Sequence, residues 1–404
     1  MKYKNGRFFV ENVNSNKLIN LFGTPLYVYS EKKIIENISR FKKEFKSINP
    51  LICFSVKSNA NTEILKLISK NGLGADVVSQ GELIRALKAG VKPKKIVYSG
   101  VGKTRSELKF AISKNILLIN AESENEIIEI EKIAKIVKKK IKVGLRLNPD
   151  TDANTLKAIS TGKKDNKFGI NSRKLKEILK NYKNSKYLNF ACISVHIGSQ
   201  ITSHKPYEKM LKVLQNSINL INHNFEYIDL GGGMGIKYNK NDKILNYSKY
   251  ENLINKFLKK NKSKIIFEPG RSIIGSAGII ISRIIYVKQT KNQNFIIMDA
   301  AMNDFMRPAL YGASHEIIPL VKNGKIIKKK HEFVGPVCET TDKFLTKNNF
   351  QNLKQNDYLV ICDTGAYGMV LSSNYNLRPI PPEILVSGKM IKIIKKRQKF
   401  KDII

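Results

Sequence analysis

Leu51-Ile52-Cys53-Phe54-Ser55-Val56-Lys57-Ser58-Asn59 is the stretch of this 404-residue chain that decides its fold. The apolar run that ends at Val56 is typical of a β-strand buried on both faces. Lys57 then falls at the carboxyl end of that strand, where a desolvated amine can act as a nucleophile. Taken alone, such a lysine more often ends a strand and extends to water. The stretch therefore predicts a buried strand, and the role of Lys57 depends on the rest of the sequence.

Seven further strand candidates follow Ile52–Val56 and alternate with amphipathic helices. They are Ala75–Ser79, Ile96–Gly100, Leu117–Ala121, Lys142–Asn148, Ile193–Gly198, Tyr227–Gly231 and Ile265–Pro269. The connections between them are long enough for parallel pairing. Eight such units predict a closed (β/α)8 barrel, with a doubly wound open sheet as the alternative. The lack of a dinucleotide-binding glycine motif favours the closed barrel.

A second domain is indicated after about Gly278, where the pattern changes. Strand-like segments such as Gly278–Lys288 and Tyr358–Asp363 are separated there by turns and polar loops, with few long helices. Short strands at the N-terminus, such as Arg7–Val10, need partners and are expected to join this β-rich domain. We expect the barrel to span residues 25–278 and the β-rich domain to comprise residues 1–24 and 279–404.

Composition indicates a globular cytoplasmic protein. The net charge is +39, but the lysines are spread along the chain without a nucleic-acid-binding motif, so no nucleic-acid partner is expected. No run approaches the roughly 20 apolar residues of a spanning helix, and the N-terminus lacks an apolar signal segment. We therefore expect no membrane association. Four cysteines without metal-ligand spacing indicate reduced thiols and no metal site: Cys53, Cys192, Cys338 and Cys362.

Polar residues gather at the carboxyl ends of the predicted barrel strands, where the active sites of such barrels lie. The second strand contains Asp76, the sixth ends near His196, and Glu268 lies at the end of the eighth. After the seventh strand, Gly231–Gly233 exposes backbone N–H groups that suit a phosphate. A lysine nucleophile, a phosphate site and a carboxylate that can hold a pyridinium N–H together predict pyridoxal 5′-phosphate as the cofactor.

Several motifs resemble those of the diaminopimelate decarboxylase family, which belongs to the alanine-racemase-like, fold type III pyridoxal-phosphate enzymes. They are Phe54–Asn59, His196–Gln200, Gly231–Gly233, Glu268–Arg271, Met302–Tyr311, Gly335–Glu339 and Gly365–Gly368. The similarity runs in order from about Gly23 to Pro382, which is nearly the whole chain. It implies decarboxylation of meso-2,6-diaminoheptanedioate to L-lysine and CO2, the last step of lysine biosynthesis.

The resemblance also implies roles for individual residues. Lys57 would bind the cofactor covalently, and the ring of His196 would stack on it. Further cofactor contacts would come from Asp76, Ser199, Gly232, Gly233, Glu268, Pro269, Gly270, Arg271 and Tyr367. The small-molecule substrate would be contacted by Arg271, Arg307, Tyr311, Glu339 and Tyr367. The thiol of Cys338 would protonate the carbon that loses CO2.

The resemblance further implies a head-to-tail homodimer, because Cys338 matches a cysteine that is contributed across the subunit interface. Each active site would then be shared between two chains. The chain departs from the family pattern at a few positions. Ser55 and Ser58 stand where alanine is more frequent, and Thr340-Thr341-Asp342 replaces the usual Ser-Gly-Asp. None of these changes removes a reacting group.

Two alternatives remain at this point. The first is another basic amino-acid decarboxylase of the same fold, acting on ornithine, arginine or carboxynorspermidine. Glu339 argues against the ornithine branch, in which aspartate usually follows the cysteine, and Arg271 argues against the carboxynorspermidine branch. The second is a non-catalytic pyridoxal-phosphate-binding homeostasis protein. Such proteins are usually a bare barrel and would not need the second domain.

Overall fold

The computed structural model describes residues 1–153, 161–162, 166–239, 241–322 and 324–404. These residues fall into two compact units. The first comprises Met1–Asn37, Lys237–Asp242 and Ile273–Ile404, and we call it the β-rich unit. The second comprises Ile38–Ile236 and Lys243–Ser272, and we call it the barrel unit.

The chain begins with short elements of the β-rich unit. Strands β1 (Lys2–Lys4), β2 (Arg7–Val10) and β3 (Val13–Asn14) form a small antiparallel sheet. The side chain of Asn14 accepts a hydrogen bond from the backbone N–H of Asn16 and so caps helix α1 (Ser15–Phe22). Strand β4 (Leu26–Ser30) and helix α2 (Glu31–Glu44) follow.

Within the described residues, eight parallel strands close into a barrel, which confirms the predicted fold class. The strands are β5 (Leu51–Ser55), β6 (Gly74–Val77), β7 (Ile96–Tyr98), β8 (Leu118–Ala121), β9 (Ile141–Arg146), β10 (Leu188–Ser194), β11 (Tyr227–Asp229) and β12 (Lys264–Phe267). They pair in chain order, and β12 pairs with β5 to complete the barrel. Because all run in the same direction, their carboxyl ends lie on one rim.

Helices on the outside of the barrel connect these strands. They are α3 (Thr62–Lys70), α4 (Gln80–Lys88), α5 (Arg105–Ser113), α6 (Glu124–Ile136), α7 (Ser172–Asn181), α8 (Lys205–Ile221) and α9 (Tyr247–Leu258). Side-chain oxygens of Asn61, Ser79 and Thr104 accept hydrogen bonds from the first turns of α3, α4 and α5. These caps fix where each helix begins, and hence the length of the loop that leaves the strand before it.

The sixth barrel strand lies earlier in the chain than expected. The prediction was Ile193–Gly198, whereas β10 runs from Leu188 to Ser194 because its register is set by pairing with β9 on one side and β11 on the other. The backbone then leaves the sheet, and Gly198 adopts a positive φ of 154°. His196 therefore lies in a loop beyond the strand.

The chain leaves the barrel through the short helix α10 (Arg271–Ile274) and then forms the larger sheet of the β-rich unit. The strands of this part are β13 (Gly278–Gln289), β14 (Gln293–Met298), β15 (Ile317–Pro319), β16 (Ile326–Val334), β17 (Lys343–Gln351), β18 (Tyr358–Ile361), β19 (Glu383–Ser387) and β20 (Met390–Lys395). Helix α11 (Arg307–Tyr311) lies between β14 and β15 in the chain. Strand β4 lies inside this sheet, antiparallel to β13 and parallel to β19. Residues 26–30, expected within the barrel range 25–278, thus belong to the β-rich unit.

The position of β4 follows from burial. All five of its residues are buried, and Leu26 and Val28 pack with Ile279, Ile281 and Ile384 in one apolar cluster. A strand buried on both faces needs a partner on each edge, because an unpaired backbone N–H or C=O away from water is costly.

Across the described ranges, no helix combines the length and the apolar character needed to cross a membrane.

Candidate active site

A cavity of about 420 Å³ lies among residues at the carboxyl ends of the barrel strands. Its walls include Lys57, His196 and Glu268, together with Ser99, Asn120, Arg146, Ser194 and Asp229. This volume is in the range of pockets that hold small ligands and cofactors. The predicted site at this rim of the barrel therefore coincides with a real cavity.

Lys57 lies in the single turn Val56–Ser58 that directly follows β5. Its Nζ is 3.0 Å from Oδ2 of Asp76, a fully buried carboxylate on β6. The hydroxyl of Ser55 donates to the same oxygen at 2.6 Å. A buried carboxylate is stable only with such partners, so Asp76 holds the lysine amine at the cavity wall. Ser55 thus adds a second donor to this carboxylate.

His196 contributes a neutral ring to the cavity. Its Nδ1 accepts a hydrogen bond from the backbone N–H of Gly232 at 3.3 Å, which places any ring proton on Nε2. Burial, followed by the positive charges of Lys57 and Arg146, lowers the pKa of His196 well below its usual range. An uncharged, flat ring suits packing against a planar cofactor better than an imidazolium, which would repel the neighbouring cations.

Two carboxyl groups share a proton at the base of the cavity. Asp229 ends β11, Glu268 follows β12, and their side chains hydrogen-bond to each other. Asn120 Nδ2 donates to Asp229 Oδ2 at 3.2 Å and to Ser99 Oγ at 3.2 Å, and Ser99 Oγ donates to Glu268 Oε1 at 3.4 Å. Burial and the nearby carboxylates, Asp229 first, raise the pKa of Glu268 well above its usual range, whereas burial raises that of Asp229 to about 6. Glu268 is therefore the protonated member.

The glycine segment Gly231–Gly233 approaches its neighbours too closely for side chains. A Cβ atom on Gly232 would lie 2.1 Å from the carbonyl oxygen of Glu268. One on Gly233, whose φ is +88°, would lie 2.2 Å from the carbonyl oxygen of Gly198. The segment thus places no side chain in the way of an anion, although Gly231 and Gly232 are themselves buried.

Cationic and hydroxyl groups lie on the loops near this segment. Arg271 Nη2 donates to Ser199 Oγ at 3.1 Å, which brings together two of the predicted cofactor contacts. Pro269 accepts a hydrogen bond from the backbone N–H of Ser55, and Gly270 packs on Ser58 so that a Cβ would lie 2.8 Å from the Ser58 side chain. The segment from Glu268 to Arg271 is therefore fixed against the turn that carries Lys57.

These residues fit pyridoxal 5′-phosphate. The cavity offers a lysine amine, a buried carboxylic acid and a neutral flat ring, and the glycine segment contacts that ring through the Gly232 N–H. Within the described residues, the buried Oγ of Ser194 and Oδ1 of Asn120 lack protein hydrogen-bond partners, although both residues line the cavity. Buried polar atoms of this kind are normally satisfied, so they indicate a polar ligand.

The other predicted site residues lie in the β-rich unit. Arg307 and Tyr311 are the first and last residues of α11, and Arg307 is buried. Cys338 and Glu339 lie in the exposed loop between β16 and β17. Tyr367 follows β18, is half-buried and has a left-handed φ of 55°.

The loop that carries Cys338 and Glu339 is held by hydrogen bonds. The two Glu339 carboxylate oxygens accept from the hydroxyls of Tyr375 and Thr341, the latter at 2.9 Å. These hydrogen bonds lower the pKa of Glu339, Tyr375 having the larger effect. The loop presents an ionised carboxylate beside an exposed thiol.

Sequence reasoning missed several residues that line the cavity. They are Ser99, Asn120, Arg146 and Asp229. Each places a polar side chain among mostly apolar neighbours within a predicted barrel strand. Such an interruption is a usable signal, because a buried strand accepts a polar residue only where that residue has partners.

Comparison with known proteins agrees with this site. Residues 31–275, more than half of the chain, match the family model for the pyridoxal-dependent decarboxylase pyridoxal binding domain. The chain is therefore a pyridoxal-dependent decarboxylase. It is 41% identical over 403 residues to diaminopimelate decarboxylase from Aquifex aeolicus, covering 99% of this chain and 95% of that protein. The chain thus belongs to the diaminopimelate decarboxylase family.

Solved structures give the same result. The crystal structure of diaminopimelate decarboxylase from Helicobacter pylori complexed with L-lysine has a TM-score of 0.92 at 37% identity, over 96% of this chain and 98% of that one. The enzyme from M. jannaschii, in co-complex with L-lysine, has a TM-score of 0.93 at 34% identity, over 100% of this chain and 96% of that one. Both domains of the predicted architecture are therefore shared with these relatives.

The carboxyl pair predicts an unusual pH dependence of stability in the cofactor-free protein. A carboxyl group whose pKa is raised on folding stabilises the native state at low pH, and this contribution is lost as pH rises through the folded pKa. Glu268→Gln gives Asp229 a permanent amide donor and removes the second titrating group. When the pH rises from about 5 to about 7.5, the unfolding free energy of the native protein should therefore fall by about 1–3 kcal/mol more than that of the variant. Urea unfolding at both pH values measures this difference.

The control for this measurement is Glu177→Gln, which changes an exposed carboxylate on α7. Its pH profile should run parallel to that of the native protein. A parallel profile for Glu268→Gln as well would mean that the Asp229–Glu268 pair does not hold a proton at neutral pH.

Proposed function

We propose that this chain decarboxylates meso-2,6-diaminoheptanedioate to L-lysine and CO2, as the last step of lysine biosynthesis. The observation that carries the proposal is the cavity in which the Lys57–Asp76 pair, neutral His196 and protonated Glu268 lie together. Relatives named diaminopimelate decarboxylases, two of them crystallised with L-lysine, support the choice of substrate. The cytoplasm is the compartment we propose, which is consistent with four cysteines that are all free thiols among the described residues.

The residues around the cavity have separate tasks in this proposal. Bound pyridoxal 5′-phosphate supplies an electron sink for the electron pair that remains when CO2 departs. Lys57 would bind the cofactor covalently, and Asp76 would keep the lysine amine in position while the substrate replaces it on the cofactor. Glu268 holds a proton on its carboxyl group where a pyridine nitrogen needs a hydrogen-bonding partner. His196 covers one face of the cofactor ring and excludes water from it.

The cofactor phosphate would be bound by the glycine cradle and the loop residues beside it. Gly233 would offer its backbone N–H group and Ser199 its hydroxyl group, whereas the N–H of Gly232 already donates to His196 and Gly232 would contribute a surface without a side chain. The segment from Glu268 through Pro269 and Gly270 to Arg271 completes this side of the site. Arg271 adds a positive charge, which makes hydrogen bonds to an anion stronger than those between neutral groups.

Residues of the β-rich unit would recognise the substrate. Meso-diaminoheptanedioate keeps a carboxylate and an ammonium group at the end that does not react. Arg307 is suited to the carboxylate because its guanidinium group is planar and permanently charged. Glu339 is ionised and is suited to the ammonium group, while Tyr311 and Tyr367 offer hydroxyl groups and ring surfaces for the rest of the molecule. Cys338 would donate the proton that replaces CO2.

We also propose that the enzyme is a head-to-tail homodimer whose active sites are shared. Cys338 and Glu339 lie in an exposed loop, although the proposed chemistry requires them beside a substrate at Lys57. A C2 dimer would bring the loop of one subunit to the cavity of the other, and two equivalent composite sites would result. Small-molecule substrate binding would then depend on assembly.

The function itself is tested by incubating purified protein with meso-diaminopimelate and following CO2 and L-lysine. The native protein should be yellow, form both products in equal amounts and carry a cofactor adduct that borohydride fixes on Lys57. Lys57→Ala should lose the reducible adduct and nearly all activity, because no other residue can replace the bound amine. Lys95→Ala, on the opposite end of the barrel, serves as a control that should keep both. Activity on ornithine or arginine equal to that on diaminopimelate would favour the alternative decarboxylases.

Substrate selection is tested at Glu339. Glu339→Gln removes the charge but keeps the size, so kcat/KM for diaminopimelate should fall roughly ten- to a hundredfold through the loss of one charge-assisted hydrogen bond. Steady-state kinetics with the exposed Glu177→Gln as control measures the change. An unchanged kcat/KM would remove Glu339 from the substrate site.

The shared site is tested by subunit exchange between two inactive variants, Lys57→Ala and Cys338→Ala. In a mixed dimer both lesions fall in one site and leave the other site intact. Random mixing of equal amounts should therefore restore roughly a quarter of native activity, because half of the dimers carry one intact site of two. Mixing Cys338→Ala with the double variant Lys57→Ala/Cys338→Ala should restore nothing. If exchange is confirmed and activity does not rise, Cys338 does not act across an interface.

A further inference from the structure

Arg307 is held by two neutral acceptors inside the β-rich unit. The residue is 4% exposed. Its Nη1 is 2.7 Å from the hydroxyl of Tyr238 and 2.7 Å from Nε2 of His315. The guanidinium carbon also lies 4.8 Å from the centre of the Tyr238 ring, a cation–π distance. Since Nη1 carries two hydrogens, these two contacts account for both of them.

The neighbours of His315 fix its protonation state. Its Nδ1 is 2.8 Å from the backbone carbonyl of Cys362, which can only accept a hydrogen bond. Its Nε2 faces Arg307, whose guanidinium can only donate. Both contacts are satisfied by one form alone, the neutral ring with its proton on Nδ1. A second proton on Nε2 would remove the acceptor and place two cations in contact.

The imidazole is itself fixed in position. His315 is 1% exposed, and the rings of Phe305 and Tyr238 lie edge-on to it at centroid distances of 4.6 Å each. Cys362, which supplies the carbonyl, directly follows β18 and also donates its backbone N–H to the carbonyl of Glu316. The rigid sheet is therefore connected through His315 to one nitrogen of Arg307.

We propose that His315 and Tyr238 form an anchor that positions Arg307 for the distal carboxylate of the substrate. The anchor binds the hydrogens of Nη1 and so fixes the plane in which the guanidinium group would meet a carboxylate. Both anchoring groups are neutral, so neither of them cancels the positive charge of Arg307. The inference rests on the proposed substrate role of Arg307.

Two amide variants of His315 distinguish a specific role in positioning Arg307 from a general contribution to the stability of the fold. His315→Gln can reach Arg307 with an oxygen near the position of Nε2. His315→Asn is shorter, keeps a donor for the Cys362 carbonyl and cannot reach Arg307. Tyr238→Phe removes the other acceptor but keeps the ring. The three variants form a matched set, with thermal unfolding as the check that each is folded.

The readouts are KM and kcat for meso-diaminopimelate, and inhibition by two diamines. L-lysine carries the carboxylate that Arg307 would bind, whereas 1,5-diaminopentane lacks it. His315→Asn should raise KM and the inhibition constant of L-lysine roughly tenfold or more, with kcat changed much less and inhibition by 1,5-diaminopentane nearly unchanged. His315→Gln should lie closer to the native values, and Tyr238→Phe should shift the same two constants as His315→Asn.

Other outcomes overturn the inference. If His315→Asn weakens both inhibitors equally, or lowers kcat alone, the histidine has only a structural role. The same conclusion follows if the Gln and Asn variants behave alike. If neither His315 variant folds, unchanged constants for Tyr238→Phe are sufficient to reject the anchor. Failure of the native protein to decarboxylate diaminopimelate is a separate result, because it overturns the proposed function before any variant is compared.

Discussion

The contact between Lys57 and Asp76 is the interaction on which the rest of the site depends. Asp76 is fully buried on β6, and its carboxylate receives the Lys57 amine and the Ser55 hydroxyl. A charge at this depth is stable only with such partners. The barrel supplies them because β5 and β6 are parallel neighbours, so that a residue within one strand lies beside the turn that follows the other. The pairing of β5 with β6 thus places the Lys57 amine beside Asp76.

The second constraint is the proton held between Asp229 and Glu268. Two carboxyl groups on adjacent strands cannot both ionise in a buried site, so one keeps its proton. The hydrogen bonds that Asp229 accepts from Asn120 and from the backbone N–H of Gly231 favour Asp229 as the anion, which leaves Glu268 as the acid. The raised pKa of Glu268 makes the cofactor-free protein less stable as pH rises, because the unfolded chain releases this proton more readily. A basic ring nitrogen bound at Glu268 would give the proton a second acceptor.

Much of this could be predicted from the sequence. The barrel follows from repeated apolar runs, and Lys57, His196 and Glu268 follow from their places at strand ends. Pattern alone could not assign β4, because a short apolar run does not reveal which sheet will pair with it. Nor could it place β10, whose register depends on β9 and β11. The Asp229–Glu268 pair and the His315 anchor depend on side chains that meet only after folding, and no spacing in the chain encodes such a meeting.

The two kinds of recognition differ in how they are built. Cofactor residues of the barrel unit are fixed by backbone crowding, as at Gly232 and Gly233, where any side chain would collide with a carbonyl oxygen. The proposed substrate residues of the β-rich unit are instead held by side-chain hydrogen bonds, as for Glu339 and Arg307. A backbone cradle tolerates little change, whereas the position of a hydrogen-bonded side chain can be adjusted by replacing one of its partners.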